Sequence, residues 1–440
     1  MEPSHTMPRR HFLAATAGAA LAGALPNTDA GGAEKPVLAL DGGEKAVTES
    51  PSAARHFGAP ERERLEAMLG QDTLFYWKGP QTTLMVERFQ QFCPLKYVMP
   101  CSSGTAALHI AVAAMGLAPG DEVITAPITD IGTVIGLIYQ QGVPVFADLG
   151  AATYNLDVAD VERRITPKTK AIIAVHLTGN PCDLDALRTL SDKHNLVLIE
   201  DCAQAWGAKY HGRPIGTVGH IACFSLQNSK HITCGDGGMV ASSDERFGPL
   251  LQRFGDKGFD RIKGGQFENF STNYRMCEPQ AAMVAGQLTR LEDIAARRAK
   301  LGNALTEQIK GIAGILPHEV HSEDRAVYWF YMFRVQPEAF TCNRDEFTKA
   351  LAAEGVQCSA GYIPVPLHRN PVFLNHGFFA GHWPVKEMGL TNMDFTKHET
   401  PEAEKILATG VRVTIHEEMS EAYIEQCAAA VRKVAEHFAA

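Results

Sequence analysis

The sequence predicts an α/β protein: a mostly parallel central sheet flanked by helices, followed by a smaller C-terminal α+β domain. Three observations carry this expectation. From Tyr97 to Glu200 short apolar runs alternate with helical stretches, the pattern of repeated β-α-β units and so of a helix-covered parallel sheet. Around Pro279 the alternation stops. The chain of 440 residues is long enough for one large core and a second, smaller one.

Taken in order, residues 97–101 read as a strand and 104–116 as a helix with Leu108, Val112 and Met115 on one face. Residues 122–126 form a strand, 131–141 a helix and 143–147 a strand. A helix near 158–164, a strand at 171–176, a helix at 184–194 and a strand at 197–200 complete the run. Two more strands, 221–226 and 238–242, are joined by a loop. Pro279 suits a helix start, and Leu288, Leu291, Ile294 and Leu301 sustain helical spacing to about Ile309. Beyond it, strands are expected at 328–335, 356–362 and 411–415, and helices at 344–354 and 422–438. Residues 364–409, rich in Pro, His, Asn and Phe, form a long excursion. The expected division is a leader and linker over 1–33, a large domain over 34–297 and a small one over 298–440.

The N-terminus differs from the rest. Arg9-Arg10-His11-Phe12-Leu13 precedes an Ala/Gly/Leu-rich run ending at Leu25, then Pro26 and a polar stretch. That is the order of an export signal. Arg-Arg-x-Phe-Leu resembles the twin-arginine type, which implies an extracytoplasmic location, with the cytoplasm as the alternative. The run is too short and too rich in Ala and Gly for a stable membrane span.

The 21% charged and 45% hydrophobic content is that of an ordinary globular enzyme. A net charge of −9 argues against nucleic acid as the main partner. The ten cysteines are scattered and form no C-x-x-C pair. They read as small buried hydrophobes, and no metal site is expected.

Three stretches carry chemistry. Ser102-Ser103-Gly104-Thr105 opens a helix just after a strand. Free N–H groups, the helix dipole and a glycine that permits close approach make an anion site there, although Ser and Thr are equally ordinary N-caps. Val197-Leu198-Ile199-Glu200-Asp201 runs a buried strand out into two carboxylates, at the sheet edge where ligands bind. Asp201 in that place either caps a helix or holds the protonated ring nitrogen of pyridoxal phosphate. Lys230 follows Phe224-Ser225 and precedes Gly235-Asp236-Gly237-Gly238. A lysine fixed between a strand and a Gly-rich turn becomes an imine nucleophile only if its pKa falls from about 10.4. Phosphate cup, carboxylate and lysine, in that order, are what a fold-type I pyridoxal-phosphate enzyme requires.

On these and further motifs the chain resembles the DegT/StrS family of sugar aminotransferases, over roughly residues 57–335 and more loosely to the end. The matching stretches include Tyr76-Trp77-Lys78-Gly79-Pro80, Pro119-Gly120-Asp121-Glu122-Val123-Ile124, Thr166-Pro167-Lys168-Thr169-Lys170, Glu200-Asp201-Cys202-Ala203-Gln204-Ala205 and Asn273-Tyr274-Arg275-Met276. The resemblance implies a fold-type I aminotransferase with pyridoxal 5'-phosphate as cofactor. Lys230 would carry the cofactor as an imine and shuttle protons. Asp201 would pair with the ring nitrogen and Gln204 would contact the ring hydroxyl. Gly104, Thr105 and Ser225 would bind the phosphate. Asn273 would reach the phosphate of a neighbouring subunit, so a homodimer is expected. His176, after its strand, either faces the site or is a satisfied core histidine. One position departs from the pattern: Asp130, in Pro127-Ile128-Thr129-Asp130-Ile131-Gly132-Thr133, stands where the family has the aromatic that stacks on the cofactor ring.

The implied reaction moves an amino group from glutamate or glutamine to a keto sugar or keto-cyclitol. Two alternatives share the scaffold: a sugar dehydratase, which carries His where Lys230 stands, and a non-catalytic binding protein. The intact set of Lys230, Asp201 and Ser225 favours the transaminase. Nucleotide sugars are made in the cytoplasm, which conflicts with export: either the acceptor carries no nucleotide, or the N-terminus is not a signal, or the protein has drifted from the family's chemistry.

Overall fold

The computed structural model of the chain describes residues 35–440. The expected export signal therefore lies outside the described residues. Two helices, α1 (Ala59–Leu69) and α2 (Pro80–Phe92), precede the sheet, each with Pro in its first turn. Then come β1 (Tyr97–Cys101), α3 (Gly104–Ala114), β2 (Glu122–Thr125), α4 (Gly132–Tyr139), β3 (Val143–Phe146), α5 (Val158–Arg164), β4 (Thr169–Val175), α6 (Leu184–His194) and β5 (Val197–Asp201). The last two strands of the sheet are β6 (Ile221–Ser225) and β7 (Gly238–Ser242). Side-chain caps fix several helix starts: Ser103, Asp157 and Asp183 accept from the backbone N–H of Ala106, Ala159 and Ala186.

The seven strands lie in the order β1-β7-β6-β5-β4-β2-β3. Pairings among β2, β3, β4, β5 and β6 are parallel, and β7 runs antiparallel to both β6 and β1. Six of the seven strands thus point one way. Strands β3, β6 and β7 are buried along their whole length, as expected of a sheet covered on both faces. The carboxyl ends of β5 and β6 open together at one edge.

After the short α7 (Gly248–Gly255), the single helical run expected from Pro279 to Ile309 is two helices, α8 (Glu278–Leu288) and α9 (Leu291–Ile309). The break has a local cause. Thr289 donates its hydroxyl to Gly286 O at 2.7 Å, a back-bond that competes with helix continuation. Helix α8 packs on α1 and α2, while α9 packs on the C-terminal helix.

A second sheet is antiparallel. Its strands β8 (Ile315–Pro317), β9 (Tyr331–Val335), β10 (Cys358–Ala360) and β11 (Gly410–Val413) stand in the order β8-β9-β11-β10. Helix α10 (Arg344–Ala353) precedes β10, α11 (Pro401–Thr409) leads into β11, and α12 (Glu421–Phe438) closes the chain. Leu301, Leu305, Phe333, Phe347, Val413 and Val431 form this sheet's core, and Leu38 and Val47 from the N-terminal side pack into it. The excursion at 364–409 builds its own cluster: Leu367, Phe373, Trp383 and Phe395 pack with Val134 and Phe146 of the large sheet region.

The strand expected from Tyr328 begins only at Tyr331. Tyr328 has φ +43°, and the amides on either side of it bond elsewhere: Val327 N to Gly179 O at 3.0 Å and Trp329 N to Thr178 O at 2.8 Å. This short stretch ties the C-terminal part of the chain to the loop after β4. All ten cysteines are free thiols, seven of them buried. No helix among the described residues is long and apolar enough to cross a membrane.

Candidate active site

The carboxyl edge of the large sheet surrounds a cavity of about 430 Å³. Gly104, Thr105, Asp201, Ser225 and Lys230 all line it. Their convergence follows from topology, because β5 and β6 are neighbours and α3 begins directly after β1, two strands from β6. Helix α3 starts in contact with Ser225. A Cβ on Gly104 would lie 2.7 Å from Ser225 Cβ and 3.0 Å from its Oγ. Only glycine permits that approach. Ser103 already caps Ala106, and the first-turn N–H groups of Gly104 and Thr105 are the orphan donors of a helix start. Together with Ser225 they form a cradle for an anion of phosphate size.

Asp201 ends β5 and is 3% exposed. Its Oδ2 accepts from Thr133 Oγ1 at 2.9 Å and its Oδ1 from Ala203 N at 3.1 Å. Thr129 Oγ1 sits 2.7 Å from Thr133 Oγ1 and extends the chain of hydroxyls. Burial pushes the Asp201 carboxyl above its usual range, against the lowering effect of those two hydrogen bonds. It has no cation within ion-pair distance among the described residues. A buried carboxylate in that state is completed by a cationic ligand atom.

Lys230 is 8% exposed. Its backbone N–H bonds to Gln227 O at 2.9 Å, which closes the turn after β6. Its Nζ makes no hydrogen bond among the described residues and lies 3.4 Å from the ring centroid of Trp329. Burial lowers its pKa from 10.5 to about 8, against the opposing pull of the Asp201 and Asp130 carboxylates. Such a lysine is neutral often enough to act as a nucleophile or base.

The structure leaves two expected residues outside the cavity. Gln204 is buried and accepts from Thr178 N at 2.9 Å through Oε1, so its amide carbonyl supports the loop after β4. Asn273 is exposed, pairs with Asp256 in an isolated bridge and accepts from Arg275 N at 3.3 Å. His176 takes the core alternative. It is fully buried, accepts from Cys182 N through Nδ1 at 3.1 Å and faces Glu200 Oε2 through Nε2 at 3.2 Å. Glu200 also accepts from Gly216, Val218 and Gly219, so the first of the paired carboxylates is structural.

Three side chains that line the cavity carried no local signal strong enough to find them. Thr133 supports Asp201 from α4, while Trp329 and Tyr362 arrive from the C-terminal part of the chain. Asp130 also lines the cavity, and its Oδ1 accepts from Gly132 N at 2.8 Å.

Comparison with known proteins agrees with this geometry. The profile of the DegT/DnrJ/EryC1/StrS aminotransferase family matches residues 57–432. GDP-perosamine synthase of Caulobacter vibrioides is 36% identical over 288 residues, covering 63% of this chain and 75% of that protein. A Micromonospora echinospora protein assigned as an L-glutamine:3-amino-2,3-dideoxy-scyllo-inosose aminotransferase is 34% identical over 379 residues, 84% of this chain and 89% of that one. Among solved structures, an aminotransferase from Psychrobacter cryohalolentis superposes with a TM-score of 0.76 at 29% identity, covering 87% of this chain and 98% of that one. The chain belongs to the DegT/DnrJ/EryC1/StrS aminotransferase family, and its fold is that of the fold-type I aminotransferases.

Proposed function

We propose that this family member moves an amino group from glutamate or glutamine to the keto group of a sugar or cyclitol, with pyridoxal 5'-phosphate held at Lys230. The observation that carries the reading is the meeting in one cavity of a glycine-lined anion cradle with a buried lysine and a buried carboxylate that have no ion-pair partner among the described residues. In this reading Gly104, Thr105 and Ser225 hold the phosphate and Asp201 faces the ring nitrogen. Gln204 sits one layer behind, through the Thr178 loop. When bound, pyridoxal phosphate supplies an electron sink beside the substrate nitrogen. Lys230 takes and returns a proton at Nζ. With a pKa of about 8, roughly a tenth of it is neutral at pH 7, against far less than a hundredth for a free lysine. Thr133 holds Asp201 in place, and Thr129 supports Thr133.

The named activities of the two relatives support a sugar or cyclitol acceptor, and the second also supports glutamine as donor. Lys230 counts against the dehydratase alternative. The test is direct. Purified protein mixed with pyridoxal phosphate should develop a visible absorbance band that shifts when L-glutamine or L-glutamate is added, with release of the matching keto acid. A Lys230→Ala variant that turns over donor at the parent rate would remove the proposal.

Two finer readings belong to it. Asn273 serves a neighbouring subunit's site in a homodimer. Residues 9–25 direct export of the folded protein, which favours an acceptor without a nucleotide. Replacing Arg9 and Arg10 with lysine should hold the protein in the cytoplasm. Parent protein found by fractionation only in the cytoplasm, with residues 8–30 attached, would restore a nucleotide sugar as the favoured acceptor.

A further inference from the structure

Asp130 leaves the cavity without the aromatic face that a flat heteroaromatic ring packs against. Its carboxylate is engaged with Gly132 N, and a carboxylate offers no such face. An aromatic surface reaches the same cavity from elsewhere. Trp329 lines it together with Lys230 and Asp201, and Tyr362 stands edge-on to Trp329 at 5.7 Å and 81°. One hydrogen bond holds the indole itself, and two more fix the main chain that carries it. Its backbone N–H bonds to Thr178 O at 2.8 Å, its Nε1 donates to Ser229 O at 2.7 Å, and Arg298 donates to the carbonyl of the preceding Tyr328 at 3.2 Å. Ser229 is the neighbour of Lys230, so the indole and the lysine are fixed to each other.

We propose that Trp329 replaces the aromatic missing at Asp130: it is the wall against which the cofactor ring is held at its lysine end, and it positions Lys230. The inference rests on the proposed function. The ring face attracts the ammonium without a lone-pair acceptor. Nζ is therefore placed 3.4 Å from the indole centroid while its hydrogen-bonding positions stay open. A side chain with a carbonyl or carboxylate in this place would hold the proton on Nζ and take one of those positions. Trp329 also lies near the chain's change of course at Tyr328, which explains why the strand there starts three residues late.

The test measures cofactor binding rather than turnover. Equilibrium dialysis of pyridoxal phosphate is run against the parent, Trp329→Phe, Trp329→Leu and the double variant Trp329→Leu with Asp130→Phe. Phe keeps a ring and should bind close to the parent. Leu should bind ~3- to 10-fold more weakly, the scale of a lost aromatic contact. The double variant should recover most of that loss, because an aromatic is returned to position 130. Equal binding by the Leu variant overturns the proposal. So does a loss that Asp130→Phe fails to recover, since Trp329 would then act only through packing. A parent that takes up no cofactor overturns the functional reading instead. Should the Leu variant not fold, the difference in tryptophan fluorescence between parent and Trp329→Phe decides: quenching of that component by pyridoxal phosphate is expected, and its absence overturns the proposal.

Discussion

Lys230 is a residue whose usefulness opposes the stability of the fold. Its ammonium is buried without an acceptor among the described residues, and its pKa falls from 10.5 to about 8. The unfolded chain therefore binds this proton more tightly than the folded one. Below pH 8 the penalty on the fold is complete, and it is relieved as pH rises from about 8 toward 10.5. A shift of that size corresponds to on the order of 3 kcal/mol at neutral pH. Lys230→Met should accordingly raise the Tm of the cofactor-free protein at pH 7 and lose its advantage by about pH 10.5. Thermal unfolding of both proteins across that range checks it; a Met variant less stable at pH 7 would mean that the contact with Trp329 outweighs desolvation. The same variant should fail to shift the absorbance of added pyridoxal phosphate. Asp201 reports the opposite sign of the same effect. Its carboxyl is raised by burial, so its charge also opposes the fold, and a ligand that brings a cation to Asp201 should stabilise it.

At the scale of elements, the site depends on how closely α3 approaches the end of β6. Gly104→Ala places a methyl 2.7 Å from Ser225 Cβ, so helix or strand must move and the anion cradle widens. Dialysis should show pyridoxal phosphate bound at least ~tenfold more weakly, the scale of one lost charge-assisted hydrogen bond, with circular dichroism unchanged. Much of this level was legible in the sequence. Strand 97–101, helices 158–164 and 184–194 and strand 238–242 stand where their apolar spacing placed them, because their boundaries carry their own chemistry: Ser103, Asp157 and Asp183 cap the helices that follow. Gly104, Thr105, Asp201, Ser225 and Lys230 could be read because each sits at a strand end or helix start, where local sequence sets local geometry. Trp329 could not. Its place depends on Tyr328 turning the chain and on bonds to Thr178 and Ser229, residues about 150 and 100 positions away. The break between α8 and α9 was hidden for a related reason. Apolar spacing continues across it, and the break lies in i→i−3 backbone bonds, Thr289 N to Gly286 O and Arg290 N to Gln287 O, beside the Thr289 back-bond.

The whole molecule raises the question of what covers the segment carrying Asn273. Asn273 lies outside its own chain's cavity, exposed, on a stretch anchored by the buried Asp256, which takes Arg275 at 3.0 Å, Tyr76 at 2.7 Å and Arg261. Around this anchor the surface is unusually apolar. Phe270 is fully exposed, Phe267 is 69% exposed and Ile262 60%, with Leu74 and Phe75 also exposed. Exposed apolar surface is a common feature of contacts between proteins, and most soluble oligomers are closed and symmetric. A second copy seated here would bury these rings and bring its own Asn273 toward the first copy's site, as the family resemblance implies. None of this is visible in hydrophobic periodicity, since the segment is neither helix nor strand. Two consequences follow. Asn273→Ala should leave the sedimentation coefficient of the proposed homodimer unchanged and weaken pyridoxal phosphate by ~10- to 100-fold, the effect of removing one hydrogen bond to a charged group from each site. Phe270→Asp should shift the protein toward monomer and weaken cofactor binding in parallel, because a monomer lacks the partner's asparagine. Sedimentation velocity and dialysis on the same samples decide the matter: a Phe270→Asp monomer that binds pyridoxal phosphate as tightly as the parent would make each chain's cavity complete by itself.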